Sequence, residues 1–163
     1  MIRMSSKWFL LALPWSASLY AGTAIPAPPP IADFLFAIRQ VESGDRYDCP
    51  TGRAGEIGPY QFRPEVWHRY TDAPYSAART NLSDSVASRH FLRIVQRLLA
   101  RGIAATPWNI AAVWNSGESA VVHGRIPRAT RDYATRVENL TRYAVNLRNQ
   151  GSPIHEAAFA VGG

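Results

Sequence analysis

The sequence predicts a mainly α protein with one folded domain. Its 163 residues are about the length of a single domain, and 47% of them are hydrophobic, which is enough for one buried core. Apolar residues recur every three to four positions in several segments, as they do on one face of a helix, and no segment alternates with a period of two. Prolines and glycines stand at the ends of these segments, where helices begin and stop.

Residues 1–24 have the order of a secretory signal peptide. Arg3 and Lys7 form a positive start, a mostly apolar stretch follows, and small residues come last. Cleavage is expected after Ala24, with cleavage after Ala21 as the alternative, and an uncleaved segment that anchors the protein stays open as a third outcome. The mature domain is therefore expected in the periplasm or outside the cell.

The first half of the mature chain predicts a linker, two helices and a loop. Residues 25–30 are rich in proline and predict a stiff, extended linker. From Ile31 the apolar period is helical, and Gly44 is expected to end this helix. Residues 45–58 are polar and rich in glycine, which predicts a loop or a small hairpin. Pro64 suits the first turn of a short second helix.

The second half predicts three longer helices. Ser83 or Asp84 is expected to cap the first of them, and Thr130 the last. The helix between them begins at a threonine–proline pair and is apolar on most sides, so it is expected at the centre of the core. The domain as a whole is expected over residues 31–150, with a flexible tail at 151–163.

Composition and charge exclude several classes of protein. A charged fraction of 18% and a mean hydropathy of -0.17 exclude a disordered chain and a polytopic membrane protein. The single cysteine, Cys49, excludes an intramolecular disulfide and a zinc site built on several thiolates. The net charge of +6 comes from an excess of arginine, which fits either a polyanionic partner or a coding bias.

Glu42 is a candidate for acid–base chemistry because of its position. It lies four residues after Ile38 and seven after Leu35, so it continues the apolar stripe near the end of the first helix. Partial burial and the negative end of the helix dipole both disfavour the ionised carboxylate and raise its pKa. A glutamic acid that stays protonated near neutral pH can act as a general acid. A boundary glutamate paired with Arg39 or Arg46 is the alternative that this pattern leaves open.

Four sequence motifs extend this hypothesis. In chain order they are Glu42-Ser43, residues 55–62, residues 111–117 and residues 127–137. They resemble the bacterial lytic transglycosylase domain, a relative of goose-type lysozyme, which has a glutamate–serine pair, a Gly-Leu-Met-Gln stretch, an Ala-Tyr-Asn-x-Gly helix end and a late tyrosine. The resemblance implies a lysozyme-like helical domain with a loop or small hairpin after the catalytic helix.

The resemblance also implies a reaction on peptidoglycan that needs no metal or cofactor. Glu42 would protonate the oxygen that joins N-acetylmuramic acid to N-acetylglucosamine, and would then accept the proton of the C6 hydroxyl as a 1,6-anhydro ring closes. Tyr133 would reach this carboxylate. Gln61 and Asn115 would bind N-acetyl groups or orient Glu42. Ser43 would bond within the site or cap the helix end.

The sequence departs from the family's pattern in the second and third motifs. Pro59 and Tyr60 replace Leu-Met, and Trp114 replaces a tyrosine, so both changes keep or add an aromatic face that could stack on a sugar. Glu56 stands where the family usually has a small residue. It could serve as the second carboxylate that hydrolysis requires, so a muramidase is one alternative. A non-catalytic glycan-binding module that uses Tyr60 and Trp114 is another.

Peptidoglycan glycan strands are the expected partner, bound by a monomer. Nucleic acid is not expected, and transient contact with a membrane or an envelope complex stays open. The histidines show no metal-ligand spacing, so they are expected at the surface or without a role. Cys49 is expected in a polar loop, where it could be oxidised after export.

Overall fold

The computed structural model describes residues 26–151. Within this range the fold is mainly helical, as the sequence predicts, and the only β pairing is a single antiparallel bridge between Ile57 and Phe62. The predicted signal peptide at 1–24 and all but the first residue of the predicted tail at 151–163 lie outside the described residues. None of the helices in the described range has the length and apolar character needed to cross a bilayer.

Six α-helices and one short 3-10 helix follow in order along the described chain. They are α1 (Ile31–Ser43), α2 (Pro64–Trp67), the 3-10 helix (Tyr75–Arg79), α3 (Leu82–Leu99), α4 (Pro107–Ser116), α5 (Glu118–Val122) and α6 (Arg128–Asn149). The described part of the predicted linker, residues 26–30, has no regular secondary structure. The 3-10 helix and α5 have no counterpart among the helices that the sequence predicts.

Local sequence chemistry determines the end of α1 and the start of α4. Gly44 adopts the left-handed conformation at a φ of 65°, and its N–H donates to the Gln40 carbonyl oxygen at 3.2 Å. Thr106 caps α4, since its side chain accepts a hydrogen bond from the Asn109 N–H at 3.1 Å, and Pro107 occupies the first helical position. These predicted boundaries are confirmed.

Two predicted caps are wrong. The helix α3 begins before Ser83 and Asp84, and α6 begins before Thr130, and none of these side chains bonds to the N–H groups of its own first turn. The Ser83 hydroxyl donates to a carbonyl oxygen in the preceding turn, and Asp84 accepts from tyrosine hydroxyls. Thr130 is buried and donates to Asn115 Oδ1 at 2.7 Å. For Asp84 and Thr130, tertiary partners therefore replace the expected local ones, whereas Ser83 bonds to the turn just before α3.

The core lies where α1, α3, α4 and α6 meet. The helix α4 contacts α3, α5 and α6, and its residues Ile110, Ala111 and Ala112 are fully buried. This is the central position that its apolar sequence predicts. Phe34 of α1 and Trp67 of α2 are also fully buried in this core, so both helices next to the loop at 44–63 are anchored in it.

A polar network joins α1, the following loop and α3. Arg39 of α1 donates to the Tyr60 hydroxyl at 3.0 Å. Asp84 of α3 accepts from the hydroxyls of Tyr60 at 2.6 Å and Tyr47 at 2.7 Å, and lies 3.4 Å from Arg39. Because Arg39 precedes Glu42 by three residues on the same helix, the network also fixes the end of α1 that carries Glu42.

The network predicts a stability effect at Asp84. Replacement Asp84→Ala should lower the free energy of unfolding by about 2 kcal/mol, because the buried Tyr60 hydroxyl and the Arg39 guanidinium lose an acceptor. Urea denaturation measures this loss. Asp132→Ala is the matched control, since that carboxylate is exposed on α6 and should change stability little. Equal losses in the two variants would contradict the prediction.

Candidate active site

A cleft of about 1080 Å³ opens where the end of α1, the following loop, α3 and the α4–α5 junction meet. Its volume lies slightly above the usual range for ligand sites, roughly 300–1,000 Å³, and suits an extended ligand. The cleft brings together five of the residues that the sequence analysis selects. They are Glu42, Glu56, Gln61, Trp114 and Asn115.

Glu42 is bound to the last helix through Tyr133. The Tyr133 hydroxyl donates to Glu42 Oε1 at 2.7 Å, and the Tyr133 ring is only 5% exposed, so the position of the hydroxyl is fixed. Burial raises the pKa of Glu42 to about 7; the Tyr133 hydrogen bond lowers it, the charge of Glu56 raises it, and Arg136 lowers it. The carboxyl group therefore still holds its proton in a large fraction of molecules near neutral pH.

The alternative in which Glu42 pairs with Arg39 or Arg46 is wrong. Arg39 forms its closest ion pair with Asp45, at 2.5 Å, and Arg46 donates to the Ser43 carbonyl oxygen at 3.2 Å. In the described part of the chain Glu42 belongs to no ion pair. Its pKa is consequently not held down by a salt bridge.

The loop after α1 folds Glu56 and Gln61 around Gly52. A Cβ on Gly52 would lie 2.5 Å from Glu56 Oε2 and 2.8 Å from Gln61 Oε1, so a larger residue there would displace the ends of these two side chains. Glu56 also accepts from the Ala54 N–H at 2.9 Å and pairs with Arg63 at 3.1 Å. Backbone N–H groups, its own first, and the Arg63 charge lower the pKa of Glu56. Glu56 is therefore an ionised, already partnered carboxylate at the edge of the cleft.

Gln61 is held in an unusual backbone conformation. Its φ of 47° lies in the left-handed region, which costs a residue with a Cβ on the order of 1 kcal/mol and is often found at functional sites. Its amide nitrogen donates to the Gly58 carbonyl oxygen at 3.0 Å and to Cys49 Sγ at 3.1 Å. Cys49 lies in the loop after α1, as the sequence predicts, but its side chain is buried.

Trp114 and Asn115 form the wall at the end of α4. The Trp114 ring packs against His90 at 4.6 Å and Phe62 at 5.9 Å between ring centres, and remains partly exposed to the cleft. Asn115 is exposed, and its Oδ1 accepts from Thr130. Because this oxygen is occupied, the amide NH₂ is the group that Asn115 presents to a ligand.

Two residues predicted to contact substrate lie beneath the cleft, which is a correction. Tyr60 is 1% exposed and its hydroxyl is bonded to Asp84, so its ring cannot stack on a sugar. Ser43 is 8% exposed, donates to the Pro59 carbonyl oxygen at 3.0 Å and accepts from the Arg46 N–H at 3.2 Å. Ser43 thus takes the helix-end role and ties α1 to the loop.

His90 lines the cleft, although the histidines are predicted to lie at the surface or to have no role. Its Nδ1 lies 2.9 Å from the Tyr70 hydroxyl, and its ring meets the edge of Trp114. Burial, and then the charges of Arg69 and Arg93, lower the pKa of His90 to about 4, so the imidazole is neutral at pH 7.

A sequence signal for His90 exists in the helical period of α3. His90 lies one turn after Val86 and one turn before Ile94, and both of these are buried. His68 and His123 are exposed, as expected, and His155 lies outside the described residues. The described range contains no cluster of three or more side chains that could hold a metal ion.

Comparisons with known proteins identify no relative. No protein-family model matches the chain, and no curated protein or solved structure matches it either. The geometry of the cleft is therefore the basis for a functional proposal.

The raised pKa of Glu42 predicts a pH-dependent stability. The folded protein holds this proton more tightly than the unfolded chain, so the contribution is fully present below about pH 4.5 and is lost as the pH rises through about 7. Glu42→Gln cannot ionise and can still accept from Tyr133. Its free energy of unfolding should exceed that of the wild type by about 2 kcal/mol at pH 8, after allowance for partial exposure.

Denaturation at pH 4.5 and pH 8 measures this difference, which should vanish at the lower pH. Glu65→Gln is the matched control, because Glu65 is an exposed carboxylate of the same cleft. A Glu42→Gln effect that is the same at both pH values would show that ionisation is not its cause.

Proposed function

We propose that the protein is a peptidoglycan lytic transglycosylase, a glycan-cleaving lyase that acts on the β-1,4 bond between N-acetylmuramic acid and N-acetylglucosamine. One observation carries the proposal: a partly buried glutamic acid with a pKa near 7, oriented by a buried tyrosine, at the wall of a large cleft. Peptidoglycan lies outside the cytoplasmic membrane, so the proposal also requires the export that residues 1–24 predict.

In the first step Glu42 acts as a general acid. It donates its proton to the glycosidic oxygen as the bond to the N-acetylmuramic acid ring breaks, and the sugar on the leaving side departs as an alcohol. A pKa near 7 suits this step, because the group is protonated in much of the population and still releases the proton readily.

In the second step the Glu42 carboxylate acts as a general base. It accepts the proton of the C6 hydroxyl, whose oxygen closes the 1,6-anhydro ring on the same sugar. The Tyr133 hydrogen bond favours the carboxylate that forms between the two steps. Because the nucleophile belongs to the substrate, the chain needs neither a second catalytic carboxylate nor a cofactor.

Trp114 and Asn115 would place the sugar for these steps. The exposed part of the Trp114 ring offers an apolar face for a pyranose ring, and its orientation is fixed by contacts with His90 and Phe62. The Asn115 NH₂ can donate to an N-acetyl carbonyl oxygen, while Thr130 holds the other end of the amide. Gln61 lines the same cleft and would contact the substrate from the loop.

Hydrolysis is the second candidate reaction, because Glu56 lines the same cleft. A water-activating base must bind a proton, yet backbone N–H groups and Arg63 stabilise the ionised form of Glu56 and lower its pKa. Those contacts weaken Glu56 as a base and favour the internal nucleophile. Hydrolysis would leave reducing ends on the glycan, whereas transglycosylation leaves 1,6-anhydro ends.

The proposal predicts that turnover depends on Glu42. The variant Glu42→Gln should release muropeptides from purified sacculi at least about a hundredfold more slowly than the wild type, since the proton donor is lost. Glu65→Gln should remain active. Mass spectrometry of the products should find anhydro-muramyl ends. Undiminished release by Glu42→Gln would refute the proposal, and reducing ends would replace transglycosylation with hydrolysis.

The pH–rate profile gives a separate test with two opposite shifts. Activity should fall as the pH rises through about 7, because Glu42 loses its proton. Tyr133→Phe removes a hydrogen bond that lowers the pKa of Glu42, so the alkaline limb of kcat/KM should move to higher pH. Glu56→Gln removes a negative charge that raises this pKa, so the limb should move to lower pH. Shifts in the same direction would contradict this assignment.

A further inference from the structure

The wall of the cleft carries arginines that its ion pairs do not neutralise. Arg63 pairs with Glu56, and Arg97 pairs with Glu118. The other arginines of the cleft belong to no ion pair in the described part of the chain. They are Arg53, Arg69 and Arg93.

Arg69 and Arg93 line this wall from two different segments of the chain. Arg93 follows His90 by three residues on α3, so both lie on the face of that helix that lines the cleft. Arg69 lies two residues after the end of α2. Both positive charges act on the His90 imidazole, whose ring contacts Trp114. Arg69, Arg93 and Trp114 therefore line the same cleft around His90, so a sugar that rests on Trp114 would have both arginines in the cleft that holds it.

We propose that Arg69 and Arg93 form a carboxylate-binding subsite beside Trp114, which selects glycans that carry acidic substituents over neutral glycans. A guanidinium group binds a carboxylate through paired, charge-assisted hydrogen bonds, and a neutral chitin-type sugar offers it no such partner. The inference rests on the proposed function, because it assigns the substrate class of the same cleft.

The charged side chains near Arg69 and Arg93 leave this subsite available to a ligand. Glu65, four residues before Arg69, also lines the cleft, but it is exposed and forms no ion pair with either arginine among the described residues. Arg69 and Arg93 are both exposed. Arg69 also hydrogen-bonds to the Tyr70 hydroxyl, which uses only part of its five N–H donors and leaves the rest for an outside acceptor. By contrast, Arg97 shares Glu118 with Arg101 and is already satisfied.

Two parts of peptidoglycan supply a carboxylate. One is the lactyl group of N-acetylmuramic acid, which is free on strands that have been stripped of their peptides. The other is the peptide stem, which carries carboxylates of its own and occupies the lactyl group. The subsite chemistry is the same for both, so the ligands in the test must separate them.

Binding is measured with the full chain that carries Glu42→Gln, so that the ligand is not cleaved. The ligands are neutral N-acetylglucosamine oligomers, peptide-free glycan strands and peptide-bearing glycan strands, all of equal length. Isothermal titration calorimetry measures the Kd of each ligand. A carboxylated ligand should bind more tightly than the neutral one, and Arg69→Gln or Arg93→Gln should raise its Kd about tenfold. Added salt should reduce the preference. The carboxylated ligand that loses affinity identifies the source.

Arg142→Gln is the matched control, because it removes the same charge from an exposed position of α6 outside the cleft. It should leave all three Kd values unchanged. Equal affinity of the Glu42→Gln chain for neutral and carboxylated ligands would overturn the inference. It would also be overturned if Arg69→Gln and Arg93→Gln raised the Kd of the neutral ligand as much as that of the carboxylated ones. Cleavage by the wild type is scored separately, so the subsite can fail while the proposed reaction stands, and the reaction can fail while the binding preference stands.

Discussion

The hydrogen bond from Tyr133 to Glu42 joins the two helices on which the candidate site depends. The helices α1 and α6 pack against each other, and this bond is made between a buried hydroxyl and a partly buried carboxyl at the cleft. Burial and the bond act on the acid in opposite directions. Burial alone would hold the proton too tightly, and exposure would release it below neutral pH. Their balance produces a group that can give up a proton and take one back.

The support beneath the cleft gives a physical reason for residues that do not touch a ligand. Tyr60 and Ser43 carry motif positions, yet one bonds to Asp84 and the other to the Pro59 carbonyl oxygen. These contacts fix the loop against the end of α1, which holds Glu42 in one position relative to the cleft. A motif can therefore mark the support of a site as well as its surface.

Features that depend on neighbouring residues could be predicted from the sequence, whereas features that depend on tertiary contacts could not. The end of α1 at Gly44 and the Thr106 cap follow from backbone chemistry within a few residues, so they are predictable. The partner of Thr130 lies on another helix, and no local pattern shows that it bonds there instead of capping α6. Glu42 was predictable because helical spacing places it on a buried stripe. The same spacing applies to His90, but a search for metal-ligand spacing alone passes over it.

The two carboxylates of the cleft differ in what their surroundings favour. Glu42 has one hydrogen bond and substantial burial, so its neutral form is stabilised near pH 7. Glu56 has backbone donors and Arg63, so its ionised form is stabilised and its affinity for a proton is reduced. A reaction that needs one group to serve as acid and then as base can run on Glu42 alone. A reaction that needs a strong second base would have to break the Glu56–Arg63 pair first, and this cost is the physical argument for an internal nucleophile.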